Sequence, residues 1–221
     1  MPKTTDSCSE CGPLSCYRKD KTPPTFCLTE AADPQEVAAI VEHLQGDNLD
    51  GRMARAAAEI EGMYYCNATR AEEIVLFARR IGAKRIGVAT CRGLIQEART
   101  FAKVLRAKGL EAFTVACKIG SVDKTTIGVS EDVKIEKGSY EAMCNPILQA
   151  KVLNAQKTEL NVLVGLCVGH DSLFIKYSEA PVTTLVTKDR VLAHNPVAAL
   201  YETHSYYRRL LDPNHDPEKK S

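Results

Sequence analysis

The chain is predicted to be an α/β protein: a mostly parallel sheet wrapped by helices, with a small cysteine knuckle ahead of it. Two observations carry this. From about residue 70 onward, apolar runs of strand length alternate with amphipathic helical stretches, the pattern of strands joined by helical crossovers. Up to Pro24 there is no such pattern, and Leu14 is almost the only aliphatic side chain in a stretch of cysteines, prolines and polar residues. A segment of that kind cannot bury a core, and a bound metal is the usual agent that folds so small a piece. The expected organisation is a four-cysteine metal-binding knuckle at 1–30, an α/β domain at 31–212 and a polar, proline-punctuated tail at 213–221.

Each element has its own signal. Pro34 can take the first helical position after Asp33, and Val37, Ile40, Val41 and Leu44 recur at helical spacing, which predicts a helix to about Gln45. An Ala-rich helix follows over Asp50 to Tyr64. Thr69 is an N-cap with Glu72 three residues on, and the helix it opens stops at Gly82. Residues 85–90 and 111–116 read as strands around a helix at about 93–108 closed by Gly109, a βαβ unit. After a Gly-, Ser-, Asp- and Lys-rich loop at about 118–139, a helix opens at Asn145-Pro146. A strand at 161–166, a short helix at about 171–178, a strand at 182–187 and a terminal helix at about 196–211 complete a Rossmann-like order.

Composition narrows the function classes. With 44% hydrophobic and 26% charged residues the chain folds rather than remaining disordered. A formal charge of +1 offers no summed field for a phosphate backbone or an anionic membrane, so neither nucleic acid nor membrane is expected as a partner. No signal-peptide run opens the chain and no segment reaches the roughly 18 consecutive apolar residues of a spanning helix, so a cytoplasmic location is expected. Nine cysteines in a reducing compartment point to thiolate ligation or redox chemistry rather than disulfides.

The cysteines fall into two sets. Cys8 and Cys11 form a CxxC pair, with Cys16 and Cys27 following. A short turn lets two thiolates converge on one ion, and two more from nearby loop complete a tetrahedral zinc or an iron–sulfur site; spacing alone leaves both open. In the second set Cys91, Cys117 and Cys167 each follow an apolar run read as a strand, and Cys144 precedes the helix at Asn145-Pro146. The carboxyl ends of parallel strands share one edge, so these four are expected to ring a pocket able to hold a [4Fe–4S] cluster. Packing is the plain alternative, since free cysteine is often buried like a small hydrophobe. Lys118, His170, Asp171 and Lys188 stand near enough in sequence to act on that site, the first three as candidate proton carriers. Cys66 has no such neighbours, and His43, His194, His204 and His215 read as surface residues. No GxGxxG, GxxxxGK[ST] or GxSxG motif supports dinucleotide, P-loop or hydrolase chemistry.

At these residues the chain resembles an uncharacterised cysteine-rich family of anaerobic bacteria and archaea, catalogued as a domain of unknown function (number eighteen forty-seven). The matching pieces are the Cys8, Cys11, Cys16 and Cys27 set, residues 69–74, IleGlyValAlaThrCys at 86–91, AlaCysLysIleGly at 116–120, CysAsnProIle at 144–147, LeuCysValGlyHisAspSerLeuPhe at 166–174, and residues 183–196. Cys66 lies outside the pattern. The resemblance implies metal binding through the cysteines and assigns no reaction. The expected protein is thus a metal-binding, iron–sulfur protein with two four-cysteine sites, serving electron transfer or small-molecule redox chemistry with a redox partner protein. A zinc or soft-metal binding or sensing module, and a cysteine-thiolate enzyme, are the competing readings.

Overall fold

The computed structural model describes residues 7–215 and divides between Glu59 and Ile60 into two compact units. From residue 216 on, the tail lies outside the described residues. No helix of the described residues is long and apolar enough to cross a membrane.

The first unit holds the whole N-terminal cysteine set. A 3-10 turn at Cys8–Glu10 is followed by two single-turn helices, α1 (Ser15–Arg18) and α2 (Leu28–Ala31), and then by α3 (Pro34–Gln45) and the start of α4 (Leu49–Tyr64). Asp33 caps α3 as expected, its carboxylate accepting from Gln35 N at 2.9 Å with Pro34 at the first position. The corner between α3 and α4 is fixed by side chains: Asn48 Oδ1 accepts from Gly51 N, and Arg55 donates to the Leu44 and Gly46 carbonyls. A Cβ at Gly51 would press on those two carbonyls, so only glycine fits there.

The second unit is built on a four-stranded, all-parallel sheet in the order β2-β1-β3-β4. The strands are β1 (Arg85–Thr90), β2 (Glu111–Ala116), β3 (Leu160–Val164) and β4 (Val182–Val186). Ahead of them runs α5 (Arg70–Ile81), whose Thr69–Glu72 capping box and left-handed Gly82 stop are both present. Crossovers are made by α6 (Ile95–Ala107), α7 (Pro146–Ala155) and α8 (His170–Tyr177). Because the order reverses at β1, right-handed crossovers put α6 and α7 on opposite faces of the sheet. On the α7 and α8 face, Ala89, Val115, Leu163, Ala150, Leu153 and Phe174 form one buried cluster that extends up to Cys117.

Two expectations are corrected. The strand expected at 161–166 ends at Val164, because Gly165 takes a left-handed backbone (φ +67) and turns the chain out of the ladder. Cys167 therefore sits three residues beyond its strand, whereas Cys91 and Cys117 follow theirs directly. The terminal helix expected at 196–211 is instead a short α9 (Val197–Tyr201), a run of turns and a 3-10 segment at Arg208–Leu211. Thr203 and Ser205 spend their hydroxyls on Leu200 O and the Glu202 carboxylate, and the segment is mostly exposed, so little packing offsets that local competition.

Candidate functional site

Ladder register brings the second cysteine set together. Thr90 is paired with Ala116, so the next residues, Cys91 and Cys117, leave the sheet side by side at the same level. Cys117 N donates to Thr90 O at 2.8 Å and Cys91 N to Val164 O at 3.2 Å, so both are still tied to the ladder. Cys144 arrives from the far end of a long excursion closed at its base by Asn145 N on Cys117 O at 2.7 Å and by Met143 N on Val122 O. That base sets the Cys144 sulfur 3.7 Å from the Cys117 sulfur. Cys117 is 2% exposed, while Cys91 and Cys144 are half-buried against the same apolar cluster.

The three thiols are linked by hydrogen bonds through Cys117. Hydrogen bonding with Cys117 holds the Cys91 and Cys144 thiols far below the ordinary thiol range. Burial opposes this at both; Gly93 N–H and Lys188 assist at Cys91, and His170 with Lys118 at Cys144. Cys117 is pushed the other way, chiefly by its hydrogen bonds with Cys144 and Cys91, with burial adding to the effect. The three thiols therefore titrate as one coupled unit rather than singly. His170 in turn is held more basic by its bond to Cys144. The N–H of Arg92 donates to Cys117 Sγ at 3.3 Å, and a Cβ at Gly93 would lie 3.4 Å from Lys188 Nζ and 4.0 Å from Cys91 Sγ. Backbone donors of the 3-10 turn at Arg92–Leu94 and a lysine therefore face the same sulfurs.

Cys167 has a different partner, since its Sγ accepts from Arg190 Nη2 at 2.8 Å. Lys118 bonds across the loop base to Ala142 O, and Asp171 turns to its own helix, accepting from Ser172 N at 2.8 Å. Arg190 and Gln149 were not anticipated. Arg190 is two residues beyond Lys188 in a basic segment, a weak signal; Gln149 gave none. Fully buried on α7, Gln149 donates to Thr90 O at 3.2 Å and Val115 O at 2.7 Å, which ties together the ends of β1 and β2 just before their cysteines. Cys66 is exposed in a left-handed turn after α4 and stands apart from these groups.

In the first unit, Cys8, Cys11, Cys16 and Cys27 line one small cavity of about 30 Å³ together with Leu14, Ser15, Phe26 and Leu28. Cys11 N on Cys8 O, at 3.2 Å, closes the CxxC turn, and Cys27 stands at the N-cap of α2. As the side chains lie, no three His, Cys, Asp or Glu residues among the described ones are arranged to hold a metal ion.

Comparison with known proteins shows the family of the chain. No solved structure matches the chain. An uncharacterized protein of the archaeon Methanocaldococcus jannaschii is 45% identical over 206 residues, covering 93% of this chain and 98% of its own length. Residues 27–185, which contain the whole sheet-edge cysteine set and Cys27, match the family described as "Protein of unknown function (DUF1847)", and with that coverage the chain belongs to it.

Proposed function

We propose that the chain is a metal-binding redox protein in which Cys91, Cys117 and Cys144, joined by Cys167, hold an iron–sulfur cluster at the carboxyl edge of the sheet. Cys8, Cys11, Cys16 and Cys27 hold a second centre. The observation that carries this is the gathering of three sulfurs from three separate chain segments onto one edge, with two of the thiols held toward the thiolate. Thiolates are soft ligands, and such a set suits zinc, copper(I) or iron–sulfur rather than hard cations. When bound, the group would supply electron storage or Lewis acidity. The chain's own part is to fix the thiols on the ladder, to place Lys118, Lys188 and His170 around a negative site, and to keep Arg190 on Cys167 until that sulfur is needed. Four thiolates around one ion fit zinc and an iron–sulfur centre alike there.

Anaerobic reconstitution with iron and sulfide, or with zinc, tests the proposal. Absorption near about 400 nm that is absent from Cys117→Ser is expected for the sheet-edge site. Metal uptake identical in the wild type and a triple Cys91, Cys117, Cys144 serine variant would sink it. A second reading, a cysteine-thiolate enzyme, has one specific support: Cys144 is bonded to His170, the pairing that activates a nucleophilic sulfur. Activity of metal-free protein that is lost in both Cys144→Ser and His170→Asn would favour it.

A further inference from the structure

β2 is an edge strand. Glu111 N donates to Lys84 O and Cys117 N to Thr90 O, so its odd-numbered residues face β1. The backbone groups of Ala112, Thr114 and Ala116 therefore point away from the sheet. Arg106 takes Ala112 O and Ile119 N takes Ala116 O, which leaves three N–H groups and the Thr114 carbonyl open along the edge among the described residues. Beside them, on the α6 face, lies a groove of about 430 Å³ lined by Thr114, Ala116, Thr100, Arg99, Lys103 and Arg106, with no Asp or Glu in its walls. The three cations are exposed and, among the described residues, none is in an ion pair.

Strand alternation divides the two sides of this edge. Thr114 and Ala116 look toward the groove, whereas Val115 belongs to the cluster under α7 and α8, and Phe113 on that same side is 37% exposed. A strand laid along β2 would thus meet three positive charges with one set of alternate side chains and Phe113 with the other. We propose that this edge docks an extended segment of a partner protein in which acidic residues alternate with apolar ones, by adding a strand to the sheet. Charge decides the occupant. Pairing β2 with β2 of a second copy would bring two rows of Arg99, Lys103 and Arg106 toward each other, and an uncharged segment would leave all three unanswered.

The probe is a fluorescein-labelled peptide of about eight alternating Glu and Val residues, long enough to span the strand at roughly 3.4 Å per residue. Its binding to the full chain is followed by anisotropy, with a block peptide of the same composition as control. The alternating peptide is expected to bind at least about tenfold tighter than the block peptide, because only alternation satisfies backbone and charge together. Arg99→Glu with Lys103→Glu should weaken it by about tenfold or more and flatten its salt dependence. Thr114→Pro removes one outward N–H and no ladder bond, which an edge strand tolerates, and should weaken it similarly with an unchanged unfolding midpoint. Equal binding of the two peptides, or indifference to Thr114→Pro in the folded variant, would reduce the groove to a general anion attractor and overturn the proposal. No binding to the wild type would overturn it too, as would concentration-dependent dimerisation of the free chain that Thr114→Pro abolishes.

Discussion

Replacing Gln149 with leucine should leave the fold nearly as stable as before and loosen the sheet-edge site. Gln149 is fully buried; its Nε2 makes two hydrogen bonds, and its Oε1 has no partner among the described residues. Losing two hydrogen bonds at about 0.5–1.5 kcal/mol each costs about 1–3 kcal/mol. Removing an orphaned buried carbonyl recovers about 1–3 kcal/mol, and leucine has nearly the same volume. The Thr90 carbonyl keeps Cys117 N at 2.8 Å, so it is not stranded by the change. The two contributions offset each other to within about 2 kcal/mol, readable as a small shift of the urea midpoint at constant slope. What the variant lacks is the clamp between β1 and β2 beside Cys91 and Cys117. Metal affinity at the sheet-edge thiols should fall about tenfold or more, as for other groups that orient ligands without touching the metal. Destabilisation beyond about 3 kcal/mol would refute the cancellation. Unchanged stability with unchanged affinity would show that the amide only fills space.

Gly165→Ala should destabilise by about 1–3 kcal/mol, since φ is +67 and the new Cβ would run into Leu94 Cδ1; calorimetry of the variant checks this, and a neutral result would mean the turn can relax. Cys11→Ser should disorder the chain before about Pro24 while residues 60–221 keep their unfolding midpoint, which proton NMR of the two units can separate. The excursion that carries Cys144 should open only at strongly acid pH. Asp123, through its bonds to Thr125, and Glu141, through Lys124, are both held below their ordinary values of 3.8 and 4.5. A lowered carboxylate pKa gives stability that is complete above the ordinary value and lost as pH falls through the lowered one. Lys134, raised by Glu131 and Asp123, stays charged throughout this range and would lose its contribution only in alkali. Amide protection over residues 123–141 should therefore persist to about pH 4 and fall below it; loss already at about pH 5 would contradict the assignment.

β1 and β2 were legible to the residue because each is a short apolar run bounded by charge or glycine, and their register then fixed the neighbourhood of Cys91 and Cys117. β3 was read two residues past its end because Gly165 and Leu166 are as buried as the strand itself; apolar character reports burial, not the sign of φ. In α3 the apolar spacing gave the helix correctly but not its burial, for Val37, Ile40 and Val41 are 47%, 52% and 49% exposed. Gln149 and Arg190 were missed for a common reason. Their roles are contacts with groups at Thr90, Val115 and Cys167, made only by tertiary folding, and no local pattern encodes them.

The two cysteine sets differ in how far apart their members lie along the chain. Cys8 to Cys27 are complete within the first 27 residues, whereas Cys91, Cys117 and Cys144 meet only after β1 and β2 have paired and the excursion has closed. During synthesis, which proceeds from the N-terminus at roughly 5–20 residues per second, the first set is on offer to a soft ion seconds before the second exists. On the proposed assignment, the first set could take up metal while still an unfolded peptide, and the second only once its domain is complete.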